Sequence, residues 1–111
     1  MGKGFKGMGM PGGMGNIMAQ AQKMQRDMEV AQQEVTLLRV DGTSGGGKVK
    51  LTLGGDKRLH SLVIDKEIID PEDSEMLSDL IVAAYNSASE ELETQSAAIM
   101  SKATGGMKLP F

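Results

Sequence analysis

The chain has 111 residues, a formal net charge of −3 and no cysteine. This length suits a single domain, and the lack of cysteine excludes disulfides, thiolate metal sites and cysteine nucleophiles. With no tryptophan, one tyrosine and two phenylalanines, a nucleic-acid-binding sheet that stacks bases on exposed aromatic rings is disfavoured.

The charges are distributed unevenly along the chain. Seven acidic residues and no lysine or arginine lie between Pro71 and Ser101, whereas the remaining residues include twelve bases and only eight acids. A basic region of this kind allows a polyanionic partner despite the negative total charge. No segment is long and apolar enough to span a membrane, and no apolar signal region follows Lys3 and Lys6, so we expect a cytoplasmic protein.

Residues 1–15 form a low-complexity segment of glycine and methionine, which we expect to be flexible, as we do residues 105–111. A single folded domain is predicted over residues 16–104. Its first helix is predicted to begin near Asn16, which is a good N-cap. Apolar residues then recur at alternating intervals of four and three, as in a heptad seam. The seam consists of Ile17, Ala21, Met24, Met28, Ala31, Val35 and Leu38.

A glycine-rich β-meander is predicted after the first helix. Alternation places Val49, Leu51 and Leu53 on one face of the middle strand, which is typical of a half-buried strand. In the last strand, Leu62 and Ile64 are predicted to face the core. The predicted strands are approximately Leu37–Thr43, Lys48–Leu53 and Arg58–Ile64, joined by turns at Ser44–Gly47 and Gly54–Lys57.

The second helix is predicted to start at Asp70 as the N-cap, with Pro71 in the first helical position, and to run to about Lys102. Its segment from Leu80 to Tyr85 is apolar on nearly all sides, which indicates burial by more than one neighbour.

The predicted helices are about 30 Å and 45 Å long, at about 1.5 Å per residue. A compact globule of this size has a radius of gyration of only about 13 Å. Three short strands therefore cover only part of each helix, and we predict a symmetric dimer with projecting helix ends. The predicted dimer interface consists of Val49, Leu51, Leu53, Leu62, Ile64, Leu80, Ile81 and Ala84.

Several motifs occur in an order that resembles the YbaB/EbfC family of bacterial nucleoid-associated proteins. A glycine and methionine tract precedes a glutamine-rich helix that begins at Ile17, and a hairpin follows at Gly45–Gly54. The match continues through Asp70–Asp73, Glu75–Asn86 and the closing Gly105–Met107. The resemblance implies an α+β protomer of order α-β-β-β-α, a tweezer-like homodimer, and binding of double-stranded DNA in nucleoid organisation or gene regulation. The residues themselves lead us to expect no cofactor, metal, membrane or small-molecule substrate.

Because the second helix is acidic, we expect DNA contacts from the tails, the first helix and the sheet. Lysine contacts phosphates without reading bases, so such binding is expected to be mostly nonspecific. The alternative for each cation is an ordinary solvated surface. The candidate DNA-binding residues are Lys3, Lys6, Lys23, Arg26, Lys48, Lys50, Lys57, Arg58, Lys102 and Lys108.

Two further function classes compete with DNA binding. A protein-interaction or chaperone-like module would use an adaptable apolar surface formed by Met8, Met10 and Met14. An enzyme is disfavoured, because His60 has no second histidine or cysteine to share a metal. The segment Ser44–Lys48 also lacks the Gly-Lys-Ser/Thr ending of a phosphate loop.

Overall fold

A computed structural model describes residues 10–105. Two long helices flank a three-stranded antiparallel sheet of order β1-β2-β3. This confirms the predicted α+β protomer of order α-β-β-β-α. The elements are α1 (Met10–Leu37), β1 (Arg39–Ser44), β2 (Val49–Gly54), β3 (Leu59–Ile64) and α2 (Ser74–Ala103), with short 3₁₀ turns at Gly45–Gly47 and Lys66–Ile68.

The core of the protomer lies between α2 and the first two strands. The two layers approach closely at Gly42, where a Cβ atom would overlap the carbonyl of Ala84 and the side chain of Ala88. The hydroxyl of Ser44 donates a hydrogen bond of 2.5 Å to the carbonyl of Leu80, which ties the end of β1 to α2. The buried cluster consists of Val40, Val49, Leu51, Leu53, Ala84 and Ala88.

Four residues predicted for the dimer interface need a different assignment. Val49, Leu51, Leu53 and Ala84 are at most 3 % exposed within one chain, so they have no surface to offer a second chain. Alternation correctly predicted which face of β2 is apolar, but α2 of the same chain covers that face. Leu80 and Ile81 pack at the margin of the same core.

The structure agrees only in part with the prediction that Leu62 and Ile64 of β3 face the core. Leu62 pairs with Leu51 and Ile64 pairs with Val49, so both side chains lie on the face that α2 covers elsewhere. Leu62 nevertheless remains 42 % exposed, because α2 packs mainly over β1 and β2 and leaves the edge strand open.

Both helices begin at positions that differ from the prediction. α1 starts at Met10 rather than near Asn16, and Pro11 is tolerated there because amides of the first turn have no intrahelical acceptor. In α2 the N-cap is Asp73, whose carboxylate accepts a 3.1 Å hydrogen bond from the Met76 amide. Asp70 instead accepts from the Glu72 amide within the preceding turn.

The molecule is elongated, with a Cα radius of gyration of 23.4 Å and a longest dimension of 87 Å. Beyond the sheet, the C-terminal half of α2 runs antiparallel to α1, with Ala31 buried between the two helices. We call this helix pair the prong. Residues 15–26 of α1, which we call the α1 arm, extend past the end of α2 and are exposed. Within residues 10–105, neither helix combines the length and apolarity that crossing a membrane requires.

Candidate nucleic-acid interface

The hairpin between β2 and β3 is fixed against the C-terminal end of α1. The Gly55 amide donates a 3.0 Å hydrogen bond to the Leu38 carbonyl. A side chain at Gly55 would overlap the backbone of Val35, so only glycine allows this approach. The hairpin tip therefore has a defined position relative to the prong.

Asp56 organises the hairpin tip. Its carboxylate accepts a 3.0 Å hydrogen bond from the Arg58 amide, lies 3.0 Å from Nε2 of His60 and forms a 3.8 Å ion pair with Arg39. Partial desolvation favours a higher pKa for Asp56, but hydrogen bonds from His60 and Arg58 and the charges of His60 and Arg39 lower that pKa below its ordinary value. The carboxylate is thus occupied by neighbours other than the side chains of Lys57 and Arg58.

Lys57 and Arg58 are presented to solvent at the hairpin tip. Lys57 has a φ of 67°, a left-handed conformation that costs a non-glycine residue roughly 1–2 kcal/mol. Both residues are exposed, and neither forms an ion pair with any residue of the described chain. We call Lys57 and Arg58 the hairpin cluster.

A second group of cations lies where the prong meets the α1 arm. Lys102, near the end of α2, lines the same interhelical groove as Asp27 of α1. Lys23 forms a 2.8 Å ion pair with Asp27 but keeps 70 % of its side chain exposed. Arg26, next to Asp27, is exposed and forms no ion pair within residues 10–105. We call Lys23, Arg26 and Lys102 the prong cluster.

The two sheet lysines have different environments. The ammonium of Lys48 lies 2.6 Å from a Glu67 oxygen and 3.7 Å from an Asp65 oxygen. The hydrogen bond to Glu67, followed by the charge of Asp65, raises the pKa of Lys48 above its ordinary value. Lys50 lies opposite Val63 on the outer face of the sheet and is exposed. Lys48 is therefore less available to an external anion than Lys50.

Seven acidic residues in α2 and in the turn before it define a surface that a polyanion should avoid. All seven are exposed, so their charges act on solvent and on any approaching ligand. The acidic residues are Glu72, Asp73, Glu75, Asp79, Glu90, Glu91 and Glu93. Repulsion by these carboxylates opposes the approach of an anion to the surface that they form. Glu93 shares a groove with Lys57 of the hairpin.

Four of the residues singled out from the sequence lie outside the described residues. They are Lys3, Lys6, Met8 and Lys108. No group of three or more histidine, cysteine, aspartate or glutamate side chains in residues 10–105 is arranged to hold a metal ion. The network of Arg39, Asp56 and His60 was not predicted, although the four-residue interval between Asp56 and His60, just after Gly54 and Gly55, is a detectable signal.

Known proteins resemble this chain over nearly its whole length. A family model for the YbaB/EbfC DNA-binding family matches residues 9–107. The chain belongs to this family. A nucleoid-associated protein of Agathobacter rectalis is 50 % identical over 104 residues, covering 94 % of this chain and 91 % of that protein.

Two other relatives match nearly the same length of the chain. A nucleoid-associated protein of Alkaliphilus metalliredigens is 45 % identical over 108 residues, or 97 % of this chain and 95 % of the relative. A nucleoid-associated protein of Xanthomonas oryzae pv. oryzae is 46 % identical over 101 residues, or 91 % of this chain and 93 % of the relative. The similarity therefore includes both helices and the sheet, and the family assignment applies to the prong as well as to the core.

Proposed function

We propose that this protein is a homodimeric, non-enzymatic nucleoid-associated protein that binds double-stranded DNA through its phosphates and helps to organise the bacterial nucleoid. Family membership and the names of the relatives support DNA as the ligand and the nucleoid as its location. The observation that carries the proposal is the position of the hairpin and prong clusters. Lys57 of the hairpin lines a groove with Val35 of α1 and Glu93 of α2, and the prong cluster lies farther along the same pair of helices.

The spacing of the two clusters suits a DNA backbone. The hairpin lies against Val35, and from Arg26 to Val35 the helix rises about 14 Å. Phosphates follow one another at about 3.4 Å along each strand of a duplex, so this distance corresponds to about four phosphates. Contacts with phosphates at either cluster would depend little on base sequence.

The exposed apolar face of β3 supports a homodimer. Leu62 and Ile64 share a face with the core residues of β2 but lie beyond the cover of α2. Leu59, on the same edge strand, is 46 % exposed. An uncovered apolar edge strand promotes pairing with another chain, and a two-fold pairing at β3 would bury this surface. The dimer would also carry each cationic cluster twice, which strengthens binding to a polyanion.

The dimer is tested by measuring mass in solution. Sedimentation should give about twice the chain mass of 11.8 kDa. Leu62→Glu should yield a folded monomer, because it places a charge in the proposed interface. Val63→Glu is the matched control, since Val63 is 62 % exposed and lies on the opposite face of the same strand. A monomeric wild-type protein, or loss of the dimer only in Val63→Glu, would contradict the proposed interface.

DNA binding is tested by a salt titration with a duplex of mixed sequence. The logarithm of the binding constant should fall by about 0.9 per logarithmic unit of salt for each phosphate neutralised. Arg58→Glu should weaken binding at least tenfold at low salt, as expected for a charge reversal at a phosphate contact. Lys66→Glu makes a charge reversal at the opposite end of β3 and should leave affinity nearly unchanged. Affinity independent of salt, or equal losses in both variants, would contradict the proposed contacts.

A further inference from the structure

The α1 arm carries an apolar stripe that nothing in the described chain covers. Ile17, Ala21 and Met24 belong to the same seam as Ala31, which lines a groove with α2. Ala31 is 3 % exposed, whereas Met24 is 38 % and Ile17 is 65 % exposed. The stripe is therefore an extension of an existing intrachain contact that loses its partner where α2 ends.

The chain leaves α2 at the point where the stripe begins. Lys102 and Ala103 line a groove together with Asp27 and Ala31 of α1. Gly105 then adopts a φ of 70°, and its amide donates a 3.1 Å hydrogen bond to the Lys102 carbonyl, which ends the helix. Because α2 runs antiparallel to α1, a chain that continues in this direction passes along the α1 arm.

The segment that follows has the length and pattern to cover the stripe. Residues 106–111, which lie outside the described part, read Gly-Met-Lys-Leu-Pro-Phe. Six extended residues reach about 20 Å, and α1 rises about 15 Å between Ile17 and Asp27. Met107, Leu109 and Phe111 occupy alternate positions, which share one face of an extended chain. Pro110 also favours an extended conformation for the residue before it.

We propose that residues 106–111 dock in extended form on the α1 arm of their own chain, with Met107, Leu109 and Phe111 against the stripe. The N-terminal segment is less suitable, because it begins at the far end of α1 and would have to reverse direction. Docking buries an apolar surface that otherwise promotes association, and it brings Lys108 close to the prong cluster. This proposal does not depend on DNA binding and is tested on the full-length protein without DNA.

Hydrogen exchange followed by mass spectrometry measures the proposed contact. The double variant Leu109→Ser/Phe111→Ser removes the apolar side chains, and Lys108→Ser is the matched control within the same segment. Amides of residues 16–26 should exchange about fivefold faster in the double variant than in wild type, because a docked segment opposes local opening of the helix. They should be unchanged in Lys108→Ser. Amides of β2 report global unfolding and should be unchanged in both variants. Equal exchange of the arm in all three proteins would overturn the proposal.

A photo-crosslink distinguishes docking within the chain from docking on a second copy. In the full-length variant Phe111→p-benzoylphenylalanine, ultraviolet light should link position 111 to a peptide that contains Ile17 to Met24. The yield should not change when the protein is diluted, and the product should have the mass of one chain. A product formed only between chains, or linked only to the sheet, would refute docking on the arm of the same chain.

Discussion

Both ends of β2 adjoin glycine-containing turns, but their charge environments differ. At one end, Lys48 is held between Glu67 and Asp65. This contact depends on where the chain leaves β3. The Asp65 amide donates a 2.8 Å hydrogen bond to the Lys48 carbonyl, which keeps Asp65 next to Lys48. At the other end, Lys57 and Arg58 remain exposed. A basic residue in the sequence is thus not equivalent to an available cation, because long-range pairing decides which charges face a ligand.

The largest expected difference between the two turns that flank β2 is in how a substitution changes the free energy of unfolding. Gly55→Ala should lower the free energy of unfolding by about 3 kcal/mol, because the new Cβ would overlap the backbone of Val35. Gly46→Ala, in the turn before Lys48, meets no neighbouring atom but must adopt a φ of 69°. That substitution should cost only about 1 kcal/mol from backbone strain. Urea denaturation measures both values. If Gly46→Ala is the more destabilising variant, the hairpin is not fixed against α1 as described.

Local patterns were sufficient to predict the elements of the fold. Alternation in Val49, Leu51 and Leu53 predicted β2 and its apolar face, and the glycine-rich turn at Gly54–Lys57 predicted the hairpin. Helix start positions were less certain from sequence. Asp70 and Asp73 both precede helix-forming residues, and only the fold of the intervening turn makes Asp73 the N-cap.

The candidate interface depended more strongly on contacts between distant residues. Alternation shows which side of a strand is apolar but does not identify the element that covers it. Val49 and Leu51 were therefore assigned to a dimer interface, although α2 covers them within the chain. The pairing of Lys48 with Glu67 spans nineteen positions and follows from the register of β2 and β3, which the composition of either strand alone does not reveal.

Replacing a lysine at each end of β2 by neutral glutamine tests whether the ion pairs of Lys48 determine which end of the strand contacts DNA. Lys57→Gln should weaken binding and reduce the salt slope by about 0.9 for each phosphate that the variant no longer neutralises. Lys48→Gln removes the same charge but should leave the slope nearly unchanged, because its ammonium is already paired with carboxylates. Salt titrations of the two variants with the same duplex provide the comparison. A larger decrease of the slope in Lys48→Gln would place the DNA contact at the other end of the strand.

The smallest expected effect is the pH dependence of the stability that Asp56 contributes through the hairpin. Because the folded state lowers the pKa of Asp56, its ionised form contributes stability above the unfolded value of about 3.9, and this contribution is lost as the pH falls through the lower folded pKa. Asp56→Asn retains a turn-capping oxygen but lacks the charge, so it should be less stable than wild type at pH 7. The gap should be smaller at about pH 3, below the unfolded pKa, because the unfolded chain then binds a proton that the folded carboxylate takes up only at lower pH. Urea denaturation at the two pH values measures the gap. A gap that stays constant would mean that the ionised carboxylate does not stabilise the hairpin, and the exposure of Lys57 and Arg58 would then require a different structural cause.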